Sequence, residues 1–150
     1  MAAAPPDRLR ARIREVCGAA EHDLLLDLQR ACLPADVPYD SARGWWWVAH
    51  NADDVPVAFA GLTETLADRR MGYLCRAGVI PAARGAGLQK RLIRVRLRRA
   101  RALGMRWVVT DTQRGNCASS NSLIACGFRL YLPETAWAGP ETLYWRRAIG

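Results

Sequence analysis

A loop with two glycines joins a short apolar segment to a long segment of helical periodicity, and it constrains the fold of this 150-residue chain more than any other feature. Gly85 and Gly87 follow Arg84, and the helical pattern continues to Leu103. The first N–H groups of a helix have no acceptor within it, and glycine lets the backbone approach a ligand closely. The stretch therefore predicts a strand, a loop and a helix whose N-terminus binds an anion, above all phosphate.

Size and charge narrow the class of protein. The length is that of one ordinary domain, so we expect residues 1–150 to form a single domain. The net charge of +8 indicates an anionic partner, either nucleic acid or a polyphosphate ligand. Lys90 is the only lysine, and this arginine-rich composition is also typical of a GC-rich bacterial genome. The chain has neither an apolar run of membrane-spanning length nor a secretory signal, so we expect a cytoplasmic location without membrane contact.

The cysteines do not form a recognisable metal or disulfide pattern. There are five, without C-x-x-C spacing, and the two histidines lie far from them in sequence. We therefore expect reduced thiols in the core and no metal site.

Apolar periodicity and turn residues predict an order of β, α, β, β, β, α, β, α, β, β. This combination of hairpins and crossovers predicts an α+β fold with a mixed, mostly antiparallel sheet. The predicted elements are a strand at Arg8–Val16, a helix at Ala19–Leu33, a hairpin of Trp45–His50 and Val55–Glu64, a strand at Gly72–Val79, the helix after the glycine loop, a strand at Met105–Thr110, a helix at Asn116–Cys126, and strands at Phe128–Leu132 and Thr142–Arg147.

The helix after the glycine loop is predicted to be amphipathic. Arg99 falls within its apolar stripe and would lie at a rim or pair with a carboxylate. The basic face is solvated, attracts phosphates or contacts nucleic acid. The apolar stripe consists of Leu88, Leu92, Val95, Ala102 and Leu103, and the basic face of Lys90, Arg91, Arg94, Arg98 and Arg101.

The glycine loop resembles the acyl-CoA pyrophosphate loop of the GNAT superfamily of N-acyltransferases. The family pattern is [QR]-x-x-G-x-[GA] after a V-x-P strand end, and 79–81 and 84–87 match it. The chain departs from the pattern at Gln89, where the family usually has Gly or Ala.

A second segment, 116–128, resembles another GNAT signature, N-x-x-[AS]-x-x-L-Y-x-x-x-G-F, with the same spacing. Asn116, Ser119, Gly127 and Phe128 match. Leu123 occupies the position of a tyrosine that protonates the departing CoA thiolate in many members. Both signatures occur in the family's order, and the resemblance covers roughly residues 8–148.

The resemblance implies a GNAT-like fold and a set of cofactor contacts. Val79 would pair its backbone with the pantetheine arm, and the N–H groups from Arg84 through Gln89 would hold the pyrophosphate. Strands ending at Val79 and Asp111 would separate to admit the thioester. The implied cofactor-binding residues are Gly78, Val79, Arg84, Gly85, Ala86, Gly87, Leu88, Gln89, Lys90, Asn116 and Ser119.

The implied activity is transfer of an acetyl group from acetyl-CoA to a primary amine of a small molecule or protein, by direct attack in a ternary complex and without a metal. Glu64 and Tyr73 are the candidates for general base or acid. The alternative is a non-catalytic CoA-sensing or nucleic-acid-binding module on the same fold. A homodimer is an expectation from the superfamily.

Aromatic and titratable residues outside the two signatures have structural and functional interpretations. The run 45–47 is Trp-Trp-Trp, which favours core packing but could also wall an acceptor pocket. Tyr39 and Trp137 fall in loops where the GNAT fold builds its acceptor site. His50 is a structural, exposed or catalytic histidine. Asp111 follows an apolar strand and could cap the next turn.

Overall fold

A computed structural model describes residues 11–150, and the predicted order of helices and strands is confirmed. One short 3-10 helix, Pro81–Ala83, was not predicted. The predicted segment 8–10 lies outside the described residues. The elements are β1 (Arg12–Val16), α1 (His22–Cys32), β2 (Trp45–His50), β3 (Pro56–Glu64), β4 (Met71–Val79), α2 (Leu88–Ala102), β5 (Trp107–Gln113), α3 (Cys117–Ala125), β6 (Arg129–Leu130) and β7 (Thr142–Ala148).

The strands form one mixed sheet of seven, in the order β1-β2-β3-β4-β5-β7-β6. β4 and β5 pair in parallel, whereas β1 pairs with β2, and β7 with β5 and β6, in antiparallel fashion. The predicted α+β class with a mixed, mostly antiparallel sheet is therefore confirmed. Among residues 11–150, no helix is both long and apolar enough to cross a membrane.

The chain divides into two compact units. Unit 1 consists of Met1–Gly61 and Arg76–Leu92, and unit 2 of Leu62–Cys75 and Ile93–Gly150. Both β4 and α2 contribute residues to each unit. The single-domain organisation stays a prediction.

The tryptophan run forms part of the core of unit 1. Trp46 is 1% exposed and Trp47 is 5% exposed, so both faces of β2 are covered. The Trp46 indole donates to the carbonyl of Arg43 at 2.7 Å, and its ring lies 5.6 Å from the ring of Tyr39. Hydrophobic burial, with the indole N–H satisfied by backbone, accounts for these two residues. The interpretation as core is confirmed for them.

Asn51 organises the turn between β2 and β3. Its side-chain oxygen accepts from the N–H groups of Asp53 and Val55 at 3.0 and 2.9 Å. Its own N–H donates to the Val55 carbonyl at 2.9 Å, and Asp54 adopts φ 61. Asn and Asp tolerate such conformations and bond to nearby backbone, which is why the segment 51–54 predicts a turn correctly.

Gly78 on β4 allows α1 to pack closely in unit 1. A Cβ added there would lie 2.5 Å from Cys32 Cβ and 3.0 Å from Phe59 Cε1. Burial raises the pKa of the neighbouring Cys32 thiol, and the positive charge of Arg84 opposes that rise. The Cys32 side chain is therefore a neutral packing group at neutral pH.

We expect Gly78→Ala to reduce the free energy of unfolding by about 1–3 kcal/mol, because the new methyl group overpacks the contact with α1. Gly115→Ala is the control, since a Cβ at Gly115 would have no neighbour within 4 Å. Urea denaturation of the three proteins measures the difference. Equal stability of Gly78→Ala and the wild type would show that α1 does not require the glycine.

The helix stripe predicted for α2 is partly wrong. Arg96 is 2% exposed, whereas Leu103 lies beyond the end of the helix and is 39% exposed. The buried residues of α2 recur every three or four positions, as expected for one helix face, and the predicted stripe kept this spacing less closely. Burial lowers the pKa of Arg96 to about 10, and the nearby Cys75 and Cys126 act in the opposite direction. The buried residues of α2 are Leu88, Leu92, Ile93, Arg96, Leu97 and Ala100.

Two further expectations need correction. β5 extends to Gln113, so Asp111 lies within a strand and does not cap a turn, because the antiparallel pairing with β7 continues past it. All five cysteines are free thiols, but Cys17 and Cys117 are exposed and not in the core. Cys17 lies between β1 and the turn 18–21, and Cys117 is the first residue of α3.

Candidate functional site

The glycine loop in unit 1 has the geometry of an anion-binding helix start. After the 3-10 turn, Arg84 is extended (φ −69, ψ 158), and Gly85 and Gly87 both adopt φ 79. The carbonyl of Gly87 accepts the N–H of Arg91 at 3.2 Å, which begins the helical bonding of α2. Positive φ is costly for residues with a side chain, so the sequence G-A-G is what allows this path.

The space beside both glycines of the loop is open, and the loop carries positive charge. A Cβ at Gly85 or Gly87 would have no neighbour within 4 Å. The N–H groups of the first turn, which contains Leu88 and Gln89, have no intrahelical acceptor by helix geometry. Arg84 and Lys90 are exposed on either side of this turn. Together these features suit a phosphate or pyrophosphate group.

Arg84 also contacts the strand end that precedes the loop. Its Nε donates to the carbonyl oxygen of Val79 at 3.1 Å. Val79 is the last residue of β4, and the next residue, Ile80, donates its N–H to the carbonyl of Val57 at 2.9 Å. The bond from Ile80 to Val57 thus holds the end of β4 against β3. The carbonyl of Val79, the last in β4, bonds to the exposed side chain of Arg84. A ligand amide can replace that side chain.

Unit 1 therefore brings together most of the predicted cofactor residues in one strand, loop and helix. The predicted residues located in this segment are Gly78, Val79, Arg84, Gly85, Ala86, Gly87, Leu88, Gln89 and Lys90. Their roles as cofactor contacts stay predictions. The remaining predicted site residues, Glu64, Tyr73, Asn116 and Ser119, belong to unit 2.

Asn116 in unit 2 is the N-cap of α3. Its side-chain oxygen accepts from the N–H of Ser119 at 3.2 Å. The spacing of Asn116 and Ser119 in the signature is therefore explained by helix capping, in addition to the predicted contact with the cofactor.

Asn116→Ala should lower the free energy of unfolding by about 1 kcal/mol because the helix loses its cap, whereas Asn116→Ser should keep most of the stability. Thermal or urea denaturation measures both variants. A serine variant as unstable as the alanine variant would contradict the capping role.

The parallel pairing of β4 and β5 is short within unit 2. Among the described residues, the register covers three pairs, from Met71 with Trp107 to Tyr73 with Val109. Immediately after these pairs, the hydroxyl of Thr110 donates to the carbonyl of Leu74 at 2.9 Å. The predicted separation of the strands as far as Val79 stays a prediction.

Tyr73 contacts a carboxylate that the sequence did not indicate as functional. Its hydroxyl donates to Asp111 Oδ1 at 2.5 Å, and the indole N–H of Trp137 donates to the same oxygen at 3.1 Å. Within residues 11–150, Asp111 Oδ2 has no hydrogen-bond or ion-pair partner. Asp111 and Tyr73 are half-buried. The Asp111 carboxylate therefore lies beside two aromatic side chains and remains accessible to solvent.

Alternation along β5 is the signal that could have identified Asp111. Val109, Asp111 and Gln113 share one face of a strand, and the register places Asp111 opposite Tyr144 and Val109 opposite Tyr73. Because the predicted strand ended at Thr110, the prediction did not place Asp111 on the same strand face as Val109.

The other proton-transfer positions differ in their surroundings. Leu123 is 5% exposed, so the position of the missing tyrosine is part of the core of unit 2. Glu64 is exposed at the end of β3, and within the described part of the chain its side chain has no hydrogen bond or ion pair. Of the two candidate acid or base residues, only Tyr73 contacts another titratable group. Within residues 11–150, no three His, Cys, Asp or Glu side chains cluster as a metal site would require.

Comparisons with solved structures show a shared fold. An IAA acetyltransferase from Bacillus cereus has 18% identity and a TM-score of 0.73, with 92% of this chain and 99% of that chain covered. A phosphinothricin acetyltransferase from Sinorhizobium meliloti in complex with AcCoA has 18% identity and a TM-score of 0.72, with 94% and 89% covered. A GNAT acetyltransferase from Streptococcus pneumoniae has 17% identity and a TM-score of 0.72, with 93% and 99% covered.

The sequence comparisons give one positive result. No curated protein sequence matches significantly. The sequence profile described as the acetyltransferase (GNAT) family matches residues 13–128, a range that includes both predicted signatures, the glycine loop and the segment 116–128. The chain belongs to the acetyltransferase (GNAT) family.

Proposed function

We propose that the protein binds acetyl-CoA at the glycine loop and transfers the acetyl group to a primary amine. The observation that carries the proposal is the loop itself, in which two glycines at φ 79 lead into α2. Its open, positively charged helix start suits the pyrophosphate of coenzyme A. The complex of the Sinorhizobium meliloti enzyme with AcCoA supports the same donor here.

The cofactor lies along the strand, loop and helix of unit 1 in this proposal. The N–H of Arg84 donates to the carbonyl of Pro81 at 3.3 Å, so the backbone N–H groups from Ala86 through Gln89 bind the pyrophosphate, and Lys90 contributes charge. The carbonyl of Val79 exchanges its bond with Arg84 for one with a pantetheine amide, which releases the guanidinium towards the phosphates. Charge-assisted bonds of this kind are the stronger class of hydrogen bond in proteins.

The reaction requires a neutral amine. An alkylammonium has a pKa of about 10 and must first lose a proton. The free amine nitrogen then attacks the thioester carbonyl carbon and forms the C–N bond. The C–S bond breaks, coenzyme A leaves as thiolate, and the proton released from nitrogen is returned to the sulfur or to solvent.

In this proposal Tyr73 and Asp111 receive the proton that the amine loses. The phenol can accept a proton as it passes its own to the carboxylate, because the two oxygens are already 2.5 Å apart. Proton transfer to the leaving thiolate occurs through solvent, because Leu123 offers no donor. Glu64 remains the second candidate base.

The test follows free thiol while the protein is incubated with acetyl-CoA and a panel of primary amines. We expect thiol release that depends on an amine. Saturating CoA at a hundredfold its Kd should also stabilise the protein by about 2.7 kcal/mol. Stabilisation without amine-dependent release across a broad panel would favour the non-catalytic CoA-binding module, and no stabilisation at millimolar CoA would exclude the proposed site.

A further inference from the structure

Unit 2 contains a half-exposed carboxylate surrounded by aromatic rings, and the proposed acetyl transfer leaves one of its oxygens unused. Tyr73 and Trp137 both donate to Oδ1 of Asp111. Oδ2 has no protein partner within the described residues 11–150. A carboxylate oxygen that is not paired by the protein is an acceptor for a ligand donor.

The aromatic rings near Asp111 are held in place. Trp137 packs edge-on against Tyr144, with ring centroids 4.6 Å apart and an interplanar angle of 79°. The hydroxyl of Tyr144 accepts from the N–H of Ala138 at 3.1 Å and donates to its carbonyl at 3.2 Å, which fixes the loop beside Trp137. Trp137 is nevertheless 44% exposed. A loop tryptophan with this support and this exposure presents a preformed surface to a ligand.

Tyr73 and Tyr131 complete the aromatic surroundings. The Trp137 ring lies 6.5 Å from Tyr73 and 6.4 Å from Tyr131. Burial raises the pKa of the Tyr131 phenol, with Arg146 acting against the rise, so the ring is a neutral group at neutral pH. The Arg146 guanidinium already lies 4.8 Å from the centroid of the Tyr131 ring, so Tyr131 is not open to a second cation on that face. The rings of Trp137 and Tyr73, which bond to the Asp111 carboxylate, are the ones that can attract a ligand cation and offer apolar area to the remainder of the ligand.

We infer that Asp111 Oδ2 and the Trp137 ring bind the ammonium group of the acceptor, and that they select a primary amine with no carboxylate on the carbon that bears the nitrogen. An α-carboxylate on a ligand whose ammonium bonds to Oδ2 would lie close to the Asp111 carboxylate, and like charges repel. Selection by such repulsion is a common basis of specificity. The inference rests on the proposed function, because it assigns the acceptor of the same reaction.

The experiment measures binding by calorimetry at neutral pH, with and without CoA, so that no turnover is required. Three probes differ by one feature each: 2-phenylethylamine, L-phenylalanine, which adds the carboxylate, and 2-phenylethanol, which lacks the charge. We expect 2-phenylethylamine to bind at least about tenfold more tightly than either of the others. Asp111→Asn should remove the preference over phenylalanine.

Trp137→Ala should weaken 2-phenylethylamine about tenfold, and Trp137→Phe should weaken it less because an aromatic ring remains. Trp107→Ala is the matched control, since Trp107 is also a partly exposed tryptophan of unit 2, at 39%, but has no bond to Asp111. Its effect should be negligible.

Equal binding of 2-phenylethylamine and phenylalanine, an unchanged preference in Asp111→Asn, or equal effects of the two tryptophan variants would overturn the acceptor assignment. So would the absence of binding by any probe. Failure of the proposed function has a different signature, namely no binding of CoA itself in the same instrument.

Discussion

Asp111→Asn should reduce kcat for amine acetylation by about two to four orders of magnitude, which is the usual contribution of a positioned proton acceptor. The amide oxygen can still accept from Tyr73 and Trp137, so the local structure should persist. The amide has no negative charge, however, and it cannot take up a proton from the phenol. The prediction is measured by initial rates of thiol release, with stability checked by urea denaturation.

Tyr73→Phe tests whether the Tyr73 hydroxyl takes part in the same proton transfer as Asp111. If proton transfer runs through both groups, the two single variants and the double variant should be similarly impaired, because their effects are not additive within one unit of function. Glu141→Gln is the control, since Glu141 is an exposed carboxylate of unit 2 whose ion pair is with Arg114. A kcat of Asp111→Asn within about threefold of the wild type would exclude the carboxylate as proton acceptor.

Gly87→Ala should raise the Kd for acetyl-CoA about ten- to a hundredfold. Gly87 adopts φ 79, a conformation that costs an alanine about 1–2 kcal/mol, so the loop will shift or remain strained. A shift that removes one charge-assisted bond to the pyrophosphate costs about 1.5–3 kcal/mol of binding. Calorimetric titration with acetyl-CoA measures the change.

Gly104→Ala provides a closely matched control. Gly104 adopts φ 78, and, as at Gly87, an added Cβ would have no neighbour within 4 Å. Both variants should therefore lose similar stability through backbone strain, but only Gly87→Ala should lose affinity for acetyl-CoA. Equal affinity of the two variants would mean that the glycine loop does not bind the cofactor.

The sequence predicts the fold well where local chemistry determines the structure. The glycines at 85 and 87 have no steric neighbours, so their identity reflects backbone conformation alone, and that is readable from spacing. The turn at Asn51 and the end of α2 before Gly104 are local in the same sense. Such features depend on residues adjacent in the chain, so a single sequence contains the required information.

The parts that were missed depend on contacts between residues far apart in the chain. Asp111 acquires its role from Tyr73, 38 positions away, and from Trp137, 26 positions away. Arg96 is buried because its part of α2 faces the interior of unit 2, although its charge suggests a solvated position. The guanidinium of Arg96 is itself buried, and that burial lowers its pKa, so residue type alone does not decide the buried face of a helix.

The identity of the product tests the proposed reaction most directly. The protein is incubated with acetyl-CoA that is isotopically labelled in the acetyl group and with a primary amine that supports thiol release, and the acceptor is analysed by mass spectrometry. The account predicts one labelled acetyl group on the amine nitrogen for each thiol released. Thiol release accompanied by labelled acetate, with the amine unchanged, would contradict it.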